Sequence, residues 1–367
     1  MNEDRSARYH RLGRKARILS TVWTLLVLLA FLLSGASAQL RDVAIGLASG
    51  RDVLAVALYV LALCVLFDLA VLPFSVYSGY LLERRYGLST ESAAHWIRDH
   101  VKAVIVGVVL AEAGAWFVYL TLRRWPDYWW ILSGIGYSLV TVVLVNLAPV
   151  VLLPLFFSFK PLDKPSLRDR LTALASKAQT RVVGVYEWTL SDRTKKANAA
   201  LTGIGNTRRI LLSDTLLSDY TDDEIEVILA HELAHHVHRD IWKSVLLDSA
   251  LTFAGFLVAH AALQRAVPPF GLHGIADPAG MPVLLLAIGA LGLCVRPFAN
   301  AISRAHERRA DSYALRMTNN PAAFITAMKR LGQQNLAEDN PSRLVQMFFY
   351  THPPIRERVR IAQQLEA

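Results

Sequence analysis

Long apolar stretches separated by shorter polar segments dominate the chain. Each stretch approaches the roughly 20 residues that an α-helix needs to cross the hydrocarbon core of a bilayer. About six such stretches occur, at residues 18–34, 53–73, 102–121, 129–153, 242–263 and 281–299. The pattern predicts a multi-pass membrane protein, and a hydrophobic fraction of 53% agrees with that class.

The first apolar stretch has a second interpretation. A basic leader precedes it, and the small residues at 35–39 (GASAQ) resemble the cleavage site of a signal peptide. We expect the first span to be retained, and its removal would leave the orientation of the later spans unchanged.

The basic residues that give the chain its net charge of +9 concentrate outside the apolar stretches. Lys and Arg gather before the first span, between the second and third spans, in the segment 158–241 and in the C-terminal tail. With an even number of spans these regions share one side, which the positive-inside rule assigns to the cytosol. Arg123 and Arg124 on the other side are a mild exception. Aromatic and basic residues do not interleave, so no nucleic-acid partner is predicted.

Two polar segments, 158–241 and 301–367, are long enough to fold outside the bilayer. We expect them to pack together into one lobe, because neither has a large apolar core of its own. The periodicity predicts helices at 165–179, 221–240, 300–317 and 321–334, and strands at 181–190, 197–205 and 208–214.

The helix at 221–240 has clear start signals. Thr221 and Glu224 have the spacing of a capping box. Ile225 and Ile228 begin an apolar stripe of helical period. The motif at the end of this segment (AHELAHH) therefore lies on a well-started helix near the membrane edge.

The spacing of this motif is typical of a zinc site. His231 and His235 are four residues apart, so a helix presents both imidazoles on one face, and Glu232 lies beside them as a potential base. Both cysteines fall in apolar spans, so further ligands must be His or carboxylate. Glu307 is the best candidate for a third ligand, although it could equally be a solvated helix carboxylate. Asp311 shares its helix face and could orient a ligating imidazole.

Several segments together resemble the type-I CAAX prenyl endopeptidase family. These are the HExxH motif at 231–235, the ExxxD motif at 307–311 beyond two further spans, and the stretches at 72–89, 154–175, 197–217 and 351–359 (THPPIRERV). The resemblance covers roughly residues 55 to 365. It implies one zinc ion per chain, held by His231, His235 and Glu307, with Glu232 as the general base.

The resemblance also assigns roles near the C-terminus. It implies that His352 stabilises the tetrahedral oxyanion, that Arg358 contacts the substrate, and that Asn300 and Arg304 surround the third ligand. From the residues alone, His352 could simply end a loop beside two prolines. Arg358 could likewise be one more charge of the tail, and Arg356 competes for its role.

Asn198 and Ala199 lie in the matched strand before the zinc helix. An extended peptide could pair with that edge by strand addition, which holds a scissile bond in register without reading its sequence. The alternative for Asn198 is an ordinary turn asparagine.

The predicted fold class is mainly α, a polytopic helical membrane bundle with a gluzincin-like α+β metalloprotease lobe. The resemblance implies a water-filled chamber within the bundle. Asp68, Glu112, Asn146 and Asp248 lie in otherwise apolar spans, and we expect them on the chamber wall, although Asp248 could lie near the headgroups.

The chain divides into four parts. The membrane spans 1–157 include a cytosolic loop at 75–101, and the spans 242–300 separate the two polar segments. The segment 158–241 carries the small sheet and the HExxH helix, and 301–367 carries the third ligand.

The predicted function is integral-membrane zinc endopeptidase, CAAX prenyl protease-like, with its active site facing the cytosol. Its partners are the bilayer and a peptide or protein substrate that is membrane-associated or lipidated. The eukaryotic family members have seven spans, so about six suggests a prokaryotic inner-membrane protein. A broad quality-control protease for membrane proteins is then an alternative.

Other classes fit less well. A site-2 intramembrane protease would add an LDG-like segment, which the sequence lacks. An inactive zinc-bearing scaffold would not need Glu232, and a transporter would not need the HExxH motif.

Overall fold

A computed structural model describes residues 4–203 and 207–366. The helices of the first half are α1 (Arg5–Leu33), α2 (Ala36–Ala48), α3 (Asp52–Val76), α4 (Leu82–Arg85), α5 (Ala93–Arg124), α6 (Trp129–Val151), α7 (Leu153–Phe156) and α8 (Pro165–Lys177). The helices of the second half are α9 (Asp214–Asp219), α10 (Asp222–Val237), α11 (Asp240–Ala266), α12 (Met281–Thr318), α13 (Pro321–Gln334), α14 (Arg343–Phe349) and α15 (Ile355–Glu366). A π-helical turn at Tyr77–Leu81 joins α3 to α4.

The prediction of about six spans is confirmed. Within the described residues, 6 helical segments are long and apolar enough to cross a membrane, and they contain α1, α3, α5, α6, α11 and α12. Many of their large apolar side chains are exposed, among them Leu246 and Phe298 at 72% each. Tyr59, Trp129 and Phe256 are buried between the helices. The bundle therefore has an apolar core and an apolar perimeter, as a lipid environment requires.

The helices α1 and α12 extend well beyond their apolar stretches, as does α5, which begins at Ala93. The helix α1 begins at Arg5, well before the apolar stretch at 18. The helix α12 joins the predicted span at 281–299 and the predicted helix at 300–317 into one element. No glycine interrupts the second part of α12, so the helix continues out of the bundle and carries Glu307 to the lobe.

The short helix α2 was not predicted. It follows Gly35, whose φ of +75° turns the chain directly after α1. Its buried Arg41 pairs with Asp277 at 2.6 Å, and the Ser37 hydroxyl donates to the Ala279 carbonyl at 2.7 Å. These contacts tie the segment after the first span to the loop before α12.

The lobe contains a four-stranded sheet in the order β1 (Phe159–Pro161), β2 (Gly184–Trp188), β4 (Arg209–Ser213), β3 (Ala199–Thr202). The strands β2 and β4 are parallel, and the outer two pair antiparallel. The strand β1 was not predicted because three residues ending in proline give no periodic signal. The predicted strand at 181–190 is shorter in the structure, and the end of the predicted strand at 197–205 lies outside the described residues.

The two polar segments share one hydrophobic core. Leu171, Ile210 and Leu229 from the first segment are fully buried with Phe324 and Ala362 from the second. The lobe is therefore assembled from segments that the spans α11 and α12 separate along the chain.

The start of α10 has the predicted capping box. The Thr221 hydroxyl accepts from the Glu224 N–H at 3.3 Å, and the Thr221 N–H donates to the Glu224 carboxylate at 2.9 Å. Glu224 is buried and lies 3.4 Å from Arg330 of α13. The cap thus fixes the start of the HExxH helix against the C-terminal segment.

Candidate metal centre

The structure brings His231, His235 and Glu307 together at the junction of α10 and α12. The two imidazole rings lie 5.0 Å apart, nearly perpendicular to each other. The His231 Nε2 atom is 3.2 Å from Glu307 Oε2, and the His235 Nε2 atom is 3.5 Å from Glu307 Oε1. Three potential ligand atoms thus converge on one point from two helices.

This arrangement fits a tetrahedral metal ion. Ligand atoms about 2.0–2.2 Å from a tetrahedral zinc lie roughly 3.3–3.6 Å from one another, close to the two separations between imidazole and carboxylate. Glu307 Oε2 is buried and makes no hydrogen bond within the described residues. A cation between the three side chains would satisfy that oxygen, since a buried carboxylate oxygen without a partner is otherwise costly.

Asp311 and Arg358 support His231 from behind. Asp311 Oδ1 is 2.9 Å from His231 Nδ1, and Arg358 Nε donates to Asp311 Oδ2 at 2.8 Å. Burial lowers the pKa of His231, but the neighbouring carboxylates of Asp311 and Glu307 outweigh burial and raise the pKa to about 9. Nδ1 faces a carboxylate, which leaves Nε2 directed at Glu307, as metal ligation requires.

Asp240 supports His235 in the same way, a contact that the sequence analysis missed. The carboxylate is buried, and its Oδ2 is 3.3 Å from His235 Nδ1. Arg309 donates to Asp240 at 2.8 Å. Arg239 has a φ of +55°, so the chain reverses between α10 and α11 and returns Asp240 to His235. Helical periodicity could not predict this contact, because the two residues lie on different helices.

Glu232 and His352 face a cavity of about 380 Å³ beside the ligands. Burial raises the pKa of the Glu232 carboxyl. The His352 side chain is 62% exposed, and its Nε2 is 3.4 Å from Glu307 Oε1. Leu216, Ile228, Met328 and Leu331 form an apolar wall of the same cavity.

The strand β3 borders this cavity with a free edge. Asn198 lies directly before β3. Its N–H donates to the Ser213 hydroxyl, and its carbonyl accepts from the Ser213 N–H. Because antiparallel strands alternate bonded and outward-facing residues, the main-chain groups of Ala199 and Leu201 point away from β4. The Leu201 carbonyl accepts from His236 Nε2 at 3.1 Å, and Asn198 and Ala199 both line the cavity.

The remaining candidates have separate positions. Asn300 donates to the Met347 carbonyl at 3.0 Å, and Arg304 donates to the carbonyls of Gln346 and Tyr350 at 2.8 and 2.6 Å. Both side chains thus anchor the segment before His352 rather than contact a ligating atom directly. Arg358 is buried and lines the cavity, whereas Arg356 is exposed.

A second group of potential ligands is already neutralised. Glu91, His95 and Asp99 lie close together at the start of α5. Arg193 donates to Asp99 at 2.7 Å and lies 3.1 Å from His95 Nε2. A guanidinium therefore occupies the place that a cation would take.

Three side chains have the spacing of metal ligands, with a glutamate and a cavity beside them, and the cavity is bordered by a strand at the sheet edge. Together with the candidate membrane spans, this arrangement defines an integral-membrane metallopeptidase. Comparison with known proteins agrees. The model of peptidase family M48 matches residues 161–366, and the model described as CAAX prenyl protease N-terminal, five membrane helices, matches residues 2–158. The chain belongs to peptidase family M48 and is a membrane metalloprotease of the CAAX prenyl protease type.

The chain is similar to bacterial and eukaryotic proteins. It is 31% identical to the uncharacterized metalloprotease YhfN of Bacillus subtilis over 84% of this chain and 73% of that protein. It is 28% identical to the CAAX prenyl protease 1 homolog of Arabidopsis thaliana over 79% of this chain and 69% of that protein. The crystal structure of S. mikatae Ste24p has the same fold, with a TM-score of 0.87 at 24% identity over 97% of this chain and 88% of that one.

Proposed function

We propose that the chain is a zinc endopeptidase that hydrolyses peptide bonds at the cytosolic face of a prokaryotic inner membrane. One observation carries this proposal. His231, His235 and Glu307 converge with the separations of zinc ligands, beside Glu232 and inside one cavity. The all-nitrogen-and-oxygen ligand set and the open cavity side are those of catalytic zinc sites, which keep one position free.

In this proposal His231, His235 and Glu307 hold one zinc ion per chain. Bound zinc would supply Lewis-acid activation of the attacking water and of the scissile carbonyl. Glu232 accepts the proton of the water and delivers it to the leaving amine. Burial raises the pKa of Glu232, which makes its carboxylate a stronger base for the first transfer, from the water.

His352 and Arg358 act on the substrate. The His352 imidazole faces the cavity close to Glu307 and donates to the oxyanion that develops on the scissile carbonyl. Arg358 is held by Asp311 and contacts a substrate carbonyl from the cavity wall. Its ion pair keeps the guanidinium in one orientation, so little entropy is lost when substrate binds.

The substrate backbone adds to the free edge of β3. Ala199 offers outward-facing main-chain groups, and the exposed Asn198 side chain lies next to them. Strand addition secures the peptide through its backbone, while the apolar wall of the cavity accepts one apolar side chain.

The substrate class is a peptide or protein that reaches the membrane surface. Relatives named CAAX prenyl protease support a lipidated substrate. The backbone-based grip at β3 favours a second candidate, broad cleavage of unfolded membrane-protein segments. The basic loops around the lobe support the cytosolic orientation.

Cleavage of two unstructured peptides tests the proposal. The peptides share one sequence, and only one carries a farnesylated cysteine near its C-terminus. Purified zinc-loaded protein in lipid nanodiscs should cleave, and the chelated protein should not. Cleavage confined to the farnesylated peptide would support prenyl-dependent processing, cleavage of both would support the broad protease, and cleavage of neither would refute the proposal.

A further inference from the structure

The helix α1 extends beyond the apolar stretch that begins at residue 18. We call residues 5–17 the α1 extension. This segment lies on the same side of the bundle as the lobe and makes two sets of contacts there.

The first contact is with the loop before α5. Arg5 donates to the Tyr86 carbonyl at 2.5 Å, and the Tyr9 hydroxyl donates to Glu83. Lys196, which lies just before β3, pairs with the other oxygen of Glu83 at 2.9 Å. The α1 extension is thereby fixed beside the sheet.

The second contact is with the segment that follows α13. The His10 imidazole Nε2 donates to the Leu336 carbonyl at 2.8 Å. Leu336 has a φ of +50°, a conformation that L-residues seldom adopt. Arg14 pairs with Glu338, and the Tyr350 hydroxyl donates to the same carboxylate at 2.6 Å.

The Arg14–Glu338 pair is largely removed from solvent. The Arg14 side chain is 16% exposed and that of Glu338 is 12% exposed. Partly buried pairs are screened much less by salt than exposed ion pairs, which contribute little. His10, Glu338 and Tyr350 also line the cavity that contains the metal ligands.

Tyr350 connects this pair to the candidate oxyanion donor. It lies two residues before His352, and its carbonyl accepts from Arg304 at 2.6 Å. Thr351 Oγ1 lies 2.9 Å from His352 Nδ1. The segment that carries the exposed His352 is thus held from α12 by Arg304 and from α1 by Arg14 through Glu338.

We propose that Arg14 is a positioning residue for the peptidase centre, which holds His352 at the metal site through Glu338 and Tyr350. The inference rests on the proposed function. The first membrane helix thereby sets the catalytic geometry of His352, although it is remote in sequence from both halves of the lobe.

The test is a double-mutant cycle on kcat and KM with the unstructured peptide. Wild type, Arg14→Ala, His352→Ala and the double variant are compared at equal zinc content in nanodiscs. A misplaced catalytic group costs roughly ten- to a hundredfold in rate, so Arg14→Ala should lower kcat by about that factor and change KM less than about twofold. In the His352→Ala background, Arg14→Ala should have almost no further effect, because interacting residues are not additive.

A purely structural role gives a different pattern. Loss of structure would lower the zinc content or the amount of active protein, and its effect would multiply with that of His352→Ala. Unchanged kcat in Arg14→Ala, or multiplied losses in the double variant, would overturn the inference. The matched control is Arg8→Ala in the same extension, where the side chain is exposed and wild-type kcat is expected.

If Arg14→Ala does not fold, Tyr350→Phe carries the same test. It removes only the hydroxyl, which bonds Glu338 and accepts from Arg14 at 3.4 Å, and it leaves the Arg14–Glu338 pair intact. A lower kcat in the wild-type background but not with His352→Ala supports the inference, and an unchanged kcat refutes it. The proposed function fails separately, because then wild type itself would not cleave the peptide.

Discussion

Two carboxylates contact the two imidazoles of the candidate metal centre. Asp311 lies 2.9 Å from His231 Nδ1, and Asp240 lies 3.3 Å from His235 Nδ1. Each contact leaves the corresponding Nε2 directed at Glu307. Such outer contacts set the tautomer and the basicity of a ligating histidine.

Replacing Asp240 with Asn should weaken metal binding about 10- to 100-fold, the usual cost of losing an outer carboxylate. The amide cannot stabilise the His235 N–H as a carboxylate does, and Arg309 loses its anionic partner. Competition against a chelator measures the affinity. Asp169→Asn, an exposed carboxylate on α8, is the control. An affinity equal to that of wild type would show that Asp240 does not orient His235.

The sequence could predict part of this centre. His231, Glu232 and His235 follow from spacing on one helix, and Glu307 required the family resemblance. Asp240 was missed because the chain reverses at Arg239, and a single-helix pattern carries no information about such a turn.

At the scale of elements, the start of α9 fixes the loop after β2. Asp214 accepts from the N–H groups of Leu190 and Ser191 at 2.9 and 3.1 Å, and from the Ser191 hydroxyl at 2.5 Å. Partial burial raises the pKa of Asp214, but the hydrogen bonds from Ser191, Leu190 and Thr215 together outweigh burial and lower it. The ionised form is therefore the one that the fold stabilises.

Asp214→Asn should destabilise the lobe at neutral pH, and the difference from wild type should shrink below about pH 4. The pKa of Asp214 is lower in the folded state than its unfolded value of about 3.9. Ionised Asp214 therefore stabilises the fold fully above about pH 3.9, and this contribution is lost as the pH falls through the lowered pKa. Thermal unfolding of chelated protein between about pH 7 and pH 3 measures the effect.

The exposed Asp163 supplies the control for this prediction. Asp163→Asn should unfold like wild type across the range. A destabilisation by Asp214→Asn that stays constant down to about pH 3 would contradict the pKa argument.

The bundle has its own buried ion pair. Arg41 of α2 and Asp277 before α12 have side-chain exposures of 6% and 0%. Removing one partner of a buried pair leaves an uncompensated charge and costs about 3–5 kcal/mol. Arg41→Ala should therefore markedly lower the unfolding temperature in detergent.

The pair Arg123–Asp52 is the matched comparison, because Asp52 is 77% exposed. Exposed pairs contribute about 0–1 kcal/mol, so Arg123→Ala should change the unfolding temperature little. Equal effects of the two substitutions would contradict the assigned burial. Periodicity could not predict the contact of Arg41, since α2 is too short for a span and gives no other signal.

At the scale of the whole molecule, the lobe consists of two chain segments that the helices α11 and α12 separate. His235 and Glu307 belong to different segments, and the shared core of the lobe brings them together. The α1 extension then adds contacts from the other end of the chain. The spans could be predicted because each needs about 20 apolar residues. These long-range contacts could not, since they depend on how the helices pack.

In the proposed mechanism Glu232 is the general base of the metallopeptidase. The most direct test compares peptide cleavage by zinc-loaded wild type and Glu232→Gln at matched metal content. We expect the variant to bind metal like wild type and to lose at least about a hundredfold in kcat, within the range that general acid–base catalysis contributes. Wild-type turnover by Glu232→Gln, with metal bound, would contradict the account.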